Sequence, residues 1–300
     1  MKNQKTVIIS KITLIAVFTA LCFAFTYINV PLPTGDMVHL GNFVMILAAL
    51  LLGGIEGGIV GSLGMGLYDV IMFSNRPTTI IRTFILKFLV GLIVGLVFRL
   101  ILKKKIKTEK LTLISAIVFL LFTISTLIIV LNGNFDNFGL DNYLSSTYLI
   151  GDSGKTFTIS LYIPIFSLLF AIGMSIAFIL SRKLSTRSKA ALFAITVAIL
   201  INILGEFFLR YLLEGIINTY VSELANGFDV SLATATSKIP GSLVTGFVSV
   251  LLTVFIYEPV YRGVKRLSEF NDDTKGLILD EEEIETNTEE KTEETNIKTI

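Results

Sequence analysis

The chain has 300 residues, 53% of them hydrophobic, and a mean hydropathy of +0.76, which together exclude an ordinary soluble fold. The formal net charge of +1 conceals a partition: 12 of the 24 acidic residues fall within 268–300 beside only Lys275, Lys291 and Lys298, so that segment is 12 − 3 = 9 charges negative. Residues 1–267 keep 22 basic and 12 acidic side chains, the pattern of basic loops between membrane helices and not of a nucleic-acid binder. One cysteine, Cys22, and one histidine, His39, leave no internal disulfide, no cysteine metal cluster and no multi-histidine metal site.

Apolar stretches at 12–29, 40–55, 57–73, 79–101, 111–131, 158–181, 190–213 and 239–257 read as about eight transmembrane helices, each near the ~20 residues that a bilayer core requires. The second and third are short and joined by Gly53-Gly54-Ile55-Glu56-Gly57-Gly58, so tilted or partly re-entrant segments stand as an alternative to two full spans. The basic N-terminus and its apolar run invite a signal-peptide reading. The run continues through Phe23, Phe25 and Tyr27 without a small-residue cleavage site, so a retained first helix is expected, with Cys22 as packing. Segment 268–300, with its run Asp280-Glu281-Glu282-Glu283, is expected to be a disordered cytoplasmic appendage.

Loop charge sets the orientation. One set of alternate loops holds Lys2, Lys5 and Lys11; Arg99, Lys103, Lys104, Lys105, Lys107 and Lys110; Arg182, Lys183, Arg187 and Lys189; and Arg262, Lys265 and Arg266. The segments 30–38, 74–78, 132–157 and 214–238 hold only Arg76, Lys155 and Lys238, so both termini are expected in the cytoplasm. The run Gly151-Asp152-Ser153-Gly154-Lys155-Thr156 imitates the end of a phosphate-binding loop, but Leu149 stands where the pattern needs its first glycine. No nucleotide site is found, so any ATP-driven step must come from another subunit.

Three constellations remain. Ala16, Ala20 and Ala24 share one helix face and form a smooth stripe for close helix packing, either within this chain or against a partner. Gly53, Gly57 and Gly61, interleaved with Gly54, Gly58, Gly64 and Gly66 and followed by Gly91 and Gly95, permit backbone contact; packing explains most of this series, and motion is the alternative. Ionisable groups inside membrane helices are costly and mark cavities or partners. At ~1.5 Å per residue, Asp69 lies ~6 Å, Lys87 ~12 Å and Glu206 ~10 Å from the outer helix ends. Arg82, Asn202 and Arg210 share that zone, and His39 and Asn42 open the second helix on the same side. A polar pocket open outward is expected, with His39, Asn42, Asp69, Lys87, Asn202 and Glu206 as binding candidates. Pairing of Glu206 with Arg210, and of Asp69 with Lys87, is the structural alternative. Glu56 is expected to cap the glycine turn.

These motifs, in this order, resemble the substrate-capturing S components of energy-coupling factor (ECF) transporters, in particular the riboflavin-transporter-like group. The resemblance rests on Ala16-Val-Phe-Thr-Ala20, Val38-His39-Leu40-Gly41-Asn42, Gly61-Ser-Leu-Gly64-Met-Gly66-Leu-Tyr68-Asp69, Pro77-Thr-Thr-Ile-Ile, Lys87-Phe-Leu-Val-Gly91-Leu-Ile-Val-Gly95, Gly205-Glu206 and Ile239-Pro240-Gly241-Ser242-Leu243. It covers 12–101 and 190–262. An acidic residue is common in the family where Asn42 stands, and the chain has no tryptophan.

The resemblance implies an all-α polytopic membrane helix bundle: core helices 1–4 in 1–107, an inserted transmembrane hairpin with an external loop in 108–188, the last two core helices in 189–267, and the tail 268–300. It implies capture of a water-soluble vitamin or precursor, of the riboflavin, pyridoxine or thiamine-precursor class, in a bacterial cell membrane. The partners would be a transmembrane scaffold subunit, docked on Ala16, Ala20 and Ala24, and two cytoplasmic ATPases. No cofactor, metal or nucleic acid is expected, and the chain itself would not be an enzyme. The competing reading is an autonomous proton-coupled carrier of a small polar solute using Asp69 or Glu206; against it, no inverted repeat is visible between the halves. An intramembrane enzyme ranks last, for lack of a paired catalytic motif.

Overall fold

The structure, a computed structural model, describes residues 2–31, 37–104, 108–132, 146–150, 155–159, 185–220 and 239–270, with helical residues at 165, 167–169, 171–173, 175, 179 and 235. It is a helical bundle. In chain order the elements are α1 (Lys2–Tyr27), β1 (Asn29–Pro31), β2 (Met37–His39), α2 (Gly41–Leu51), α3 (Gly54–Met72), α4 (Pro77–Lys103), α5 (Thr108–Asn132), β3 (Ser146–Ile150), β4 (Lys155–Ile159), α6 (Thr186–Tyr220) and α7 (Ile239–Phe270).

Two antiparallel hairpins qualify the all-α expectation. β1 pairs with β2, Asn29 opposite His39, and β3 pairs with β4, Ser146 opposite Ile159. The stretch expected to be helical from 158 therefore begins as a strand, and among the described residues its helical positions start at 165. Lys155 and Thr156 of the phosphate-loop imitation lie in β4, whereas 151–154 and the tail from 271 fall outside the described residues. Helix α7 runs on to Phe270, past the expected start of the tail.

Of the about eight helices expected, the second, already marked as short, is shorter still in α2. Its 11 residues reach only ~16 Å, about half of a ~30 Å hydrocarbon core. Segments 8–27, 54–72, 77–103 and 186–217 are long and apolar enough to cross a membrane. The limbs Gly241–Thr253 and Phe255–Lys265 of α7 would make a fifth span, bent by 44°. Pro259 lies inside the second limb, where its ring and missing N–H deny the Phe255 carbonyl its helical hydrogen bond and favour a bend at that end. Helix α2 ends because Gly53 adopts φ 129°, a conformation open to glycine, and the chain reverses directly into α3. The Glu56 carboxylate lies against that turn and pairs with Lys11 of α1.

All eleven residues of α2 are buried, with α1, α3, α4 and α7 packed around it. Helices α3 and α4 meet along the glycine series. A Cβ at Gly91 would stand 2.5 Å from the Gly58 nitrogen, and one at Gly58 would stand 2.8 Å from the Phe88 carbonyl oxygen. This is contact of backbone with backbone, the packing sense of the series. At the same end of the bundle the Arg187 guanidinium sits 4.0 Å from the Tyr261 ring centroid and 5.9 Å from that of Phe98, tying α6 to α7 and α4.

Candidate functional site

The short α2 creates the site. Gly57 of α3 abuts Ala49 of α2, and Gly61 abuts Met45, so the antiparallel pair brings Gly41 level with about Met65. Helix α3 continues seven residues beyond that level to Met72, leaving a recess ~10 Å deep above the N-terminal end of α2. The end of α1, β2, α3, the start of α4, α6 and the start of α7 wall a cavity of about 160 Å³ there, room for roughly 11–16 waters at ~10–15 Å³ each.

His39, Asn42, Asp69, Lys87, Asn202 and Glu206 all line this one cavity, from β2, α2, α3, α4 and α6. Four of them are deeply buried, Asn42 and Asp69 at 8% exposed, Lys87 at 6% and Asn202 at 9%, and His39 and Glu206 are half-buried. Such groups persist in an apolar bundle only where partners satisfy them. Lys87 Nζ donates to Asn202 Oδ1 at 2.7 Å, and Thr83 Oγ1 donates to Asp69 Oδ2. Each side chain named in the Asp69–Lys87 alternative thus has a hydrogen-bond partner on another helix.

The Glu206–Arg210 pair is present, at 3.8 Å, but belongs to a four-membered network. Arg82 Nε lies 3.1 Å from Glu206 Oε2 and Arg82 Nη1 lies 3.3 Å from Glu214 Oε1, while Arg210 Nη1 lies 2.8 Å from Glu214 Oε1. Two guanidinium groups and two carboxylates thus join α4 to α6. Glu214 was assigned to an external loop by hydropathy. Its spacing carried a usable signal, because Glu206, Arg210 and Glu214 recur every four residues on one helix face.

Other wall residues escaped sequence reasoning because their side chains are common in any membrane helix. They include Thr26, Met65, Tyr68, Thr79, Ser242 and Thr245, with Arg76 at the exposed mouth. Tyr68 is held from several sides: its hydroxyl accepts from Asn29 Nδ2 at 3.1 Å and approaches Met37 Sδ at 3.7 Å, and its ring meets Tyr27 and Phe73 edge-on. The β1–β2 hairpin therefore fixes an aromatic side to the cavity. His39, half-buried on β2, is pushed down to about 3 by burial and then by the Lys87 ammonium, so its imidazole is neutral.

The stripe Ala16, Ala20 and Ala24 is exposed, together with Val17 and Leu21, while α1 packs inward through Leu14, Ile15, Phe18, Cys22 and Phe25. Among the described residues no helix covers it, and their packing does not account for the small side chains.

A family model described as the ECF-type riboflavin transporter, S component, matches residues 6–151. That interval contains α1 to α4, which supply the cavity residues from Thr26 to Lys87, and it runs on through α5. Those residues are thus similar to the family that the motifs resemble; the motifs at 190–262 lie outside the match. No curated protein and no solved structure matches the chain.

Proposed function

We propose that the chain, whose residues 6–151 are similar to an ECF-type S component, is a multi-pass membrane transporter subunit that captures a water-soluble vitamin or its precursor. The observation that carries this reading is the convergence of six costly polar side chains, from five elements, on one recess at the end of the bundle away from the glycine seam. The riboflavin, pyridoxine and thiamine-precursor classes suit it, each having a planar ring for the Tyr68 side and polar substituents for the ionic side. His39, Asn42, Asp69, Lys87, Asn202 and Glu206 are the binding residues. In this reading the recess faces outward across a bacterial plasma membrane, with both termini cytoplasmic.

A transmembrane scaffold subunit docks on Ala16, Ala20 and Ala24, whose exposure leaves room for a close helix crossing. Two cytoplasmic ATPases supply the energy, and reorientation of the S component carries the ligand inward. Residues 1–107 and 189–267 form the six-helix core, 108–188 an added hairpin and 268–300 an acidic cytoplasmic appendage. The experiment is mass spectrometry of the small molecule retained by protein purified in lipid nanodiscs, followed by titration with riboflavin, pyridoxine and the hydroxymethylpyrimidine precursor of thiamine. A bound vitamin is expected. No retained molecule and no binding would overturn the reading, and proton-driven uptake by the chain alone in liposomes would establish the carrier reading instead.

A further inference from the structure

The cavity has two unlike walls. Helices α3, α4 and α6 supply the charged one, where each carboxylate is engaged: Asp69 by Thr83, and Glu206 by Arg82 and Arg210. The floor, at the start of α2, bears no carboxylate or ammonium, and two of its polar atoms lack partners among the described residues. Asn42 is more than nine-tenths buried, and its Oδ1 has no hydrogen-bond partner among the described residues; the same holds for Nδ1 of the adjacent His39. A buried amide without a partner costs the protein stability, and the cost is recovered only when something else supplies the hydrogen bond. Asn42 also reaches into a second space of about 10 Å³ below the cavity, beside Asn202, Ser242 and Ser249.

The floor is electropositive without bearing a charge of its own. Helix α2 points its N-terminal end, with no side-chain cap, into the recess. Arg76, Arg82, Lys87 and Arg210 line the wall against Asp69 and Glu206; counting Glu214 behind the arginines still leaves one cation in excess among the described residues. A cationic ligand would meet this field with every cavity carboxylate already committed. A neutral amide, carbonyl or hydroxyl edge meets two neutral side chains that can each donate or accept.

We infer that the α2 floor is a charge-state filter in which Asn42 and His39 read a neutral hydrogen-bonding edge of the ligand, so that the cavity accepts neutral or anionic vitamins and refuses permanently cationic ones. This rests on the vitamin-capture reading and narrows it: riboflavin, pyridoxine and the neutral pyrimidine precursor are admitted, and thiamine, with its quaternary thiazolium, is not.

The test has a ligand arm and a ligand-free arm. Calorimetric titration of the nanodisc protein with riboflavin, pyridoxine, the pyrimidine precursor and thiamine is expected to show thiamine at least 100-fold weaker than the best of the other three. Asn42→Asp, which places a carboxylate on the floor, is expected to narrow that gap at least tenfold. Asn42→Leu, close to asparagine in shape, is expected to weaken the best ligand at least tenfold while raising the melting temperature of the ligand-free protein by about 2 °C or more, since it removes a buried polar group without a partner. Thiamine binding within tenfold of the best ligand would overturn the filter, as would unchanged affinity in Asn42→Leu. A lower melting temperature in Asn42→Leu would also overturn it, by showing that the amide has a structural partner. If none of the four probes binds, the vitamin reading falls, and with it the filter. If one binds but the Asn42 variants behave as wild type, only the filter falls.

Discussion

Helices α3 and α4 are built in two halves that solve opposite problems. Near Gly53 and Gly95 the pair has given up side chains so that backbones touch, and a single added Cβ at Gly91 would stand 2.5 Å from a backbone nitrogen. About two to four turns further along, the same helices carry Asp69, Arg82, Thr83 and Lys87, all buried, around a recess. One half is tight because it is empty of function, and the other is roomy and electrically expensive. The contrast teaches that the bundle is closed at one end by geometry and opened at the other by chemistry. Binding variants and folding variants should therefore separate along the length of one helix pair.

The largest effect is expected in the tight half. Gly91→Leu inserts a branched side chain where nothing can yield except backbone and should destabilise by about 3 kcal/mol, at the upper end of the overpacking range; the check is thermal unfolding in detergent. A stable, well-expressed Gly91→Leu protein would mean that the seam is looser than drawn. In the roomy half, Lys87→Gln should lower affinity for the retained vitamin at least tenfold, by removing a charge-assisted donor that the cavity is built around. Its melting temperature should change far less than that of Gly91→Leu. Ala16→Leu with Ala20→Leu should leave binding and melting within error of wild type and abolish co-purification with the proposed scaffold subunit, because that face is exposed among the described residues. Transport that survived the double change would move the docking face elsewhere.

The smallest effect concerns pH. His39 is neutral in the fold, with a value near 3, whereas the unfolded chain takes up a proton near 6.5. The unfolded state therefore binds more protons between these values. The histidine contribution to stability is whole above about pH 6.5 and declines as pH falls toward 3. Melting curves at pH 7.5 and 5.0 should differ by less in His39→Gln than in wild type, and equal pH slopes would count against a buried neutral imidazole.

Much of this division could be read in the sequence, and the reasons are physical. Charged residues in apolar helices are rare enough to be conspicuous, and their depth follows from counting residues, so Asp69, Lys87 and Glu206 could be placed at one level before any fold was known. The glycine spacing was equally direct. What hydropathy could not show was length in context. Residues 40–55 pass as a short span, but the reversal at Gly53 and the start at Gly41 leave an 11-residue helix, and the recess exists because of that shortness. The Arg82–Glu214 contact joins residues 132 apart in sequence, a pairing that only the crossing of α4 and α6 creates. The β1–β2 hairpin, too short for a periodic signal, brings Met37 and His39 to the rim. Exposure of the alanine stripe is a statement about neighbours and had to await them.

The starting point of α2 has a consequence for how such a protein could change its cargo. Each turn added to or removed from the N-terminal end of that helix would raise or lower the bottom of the recess by ~5.4 Å without disturbing the surrounding walls. Capacity and recognition are in this sense separable. An insertion or deletion of three or four residues just before Gly41 would rescale the compartment for a smaller or larger molecule, while point substitutions on α4 and α6 would retune its polarity.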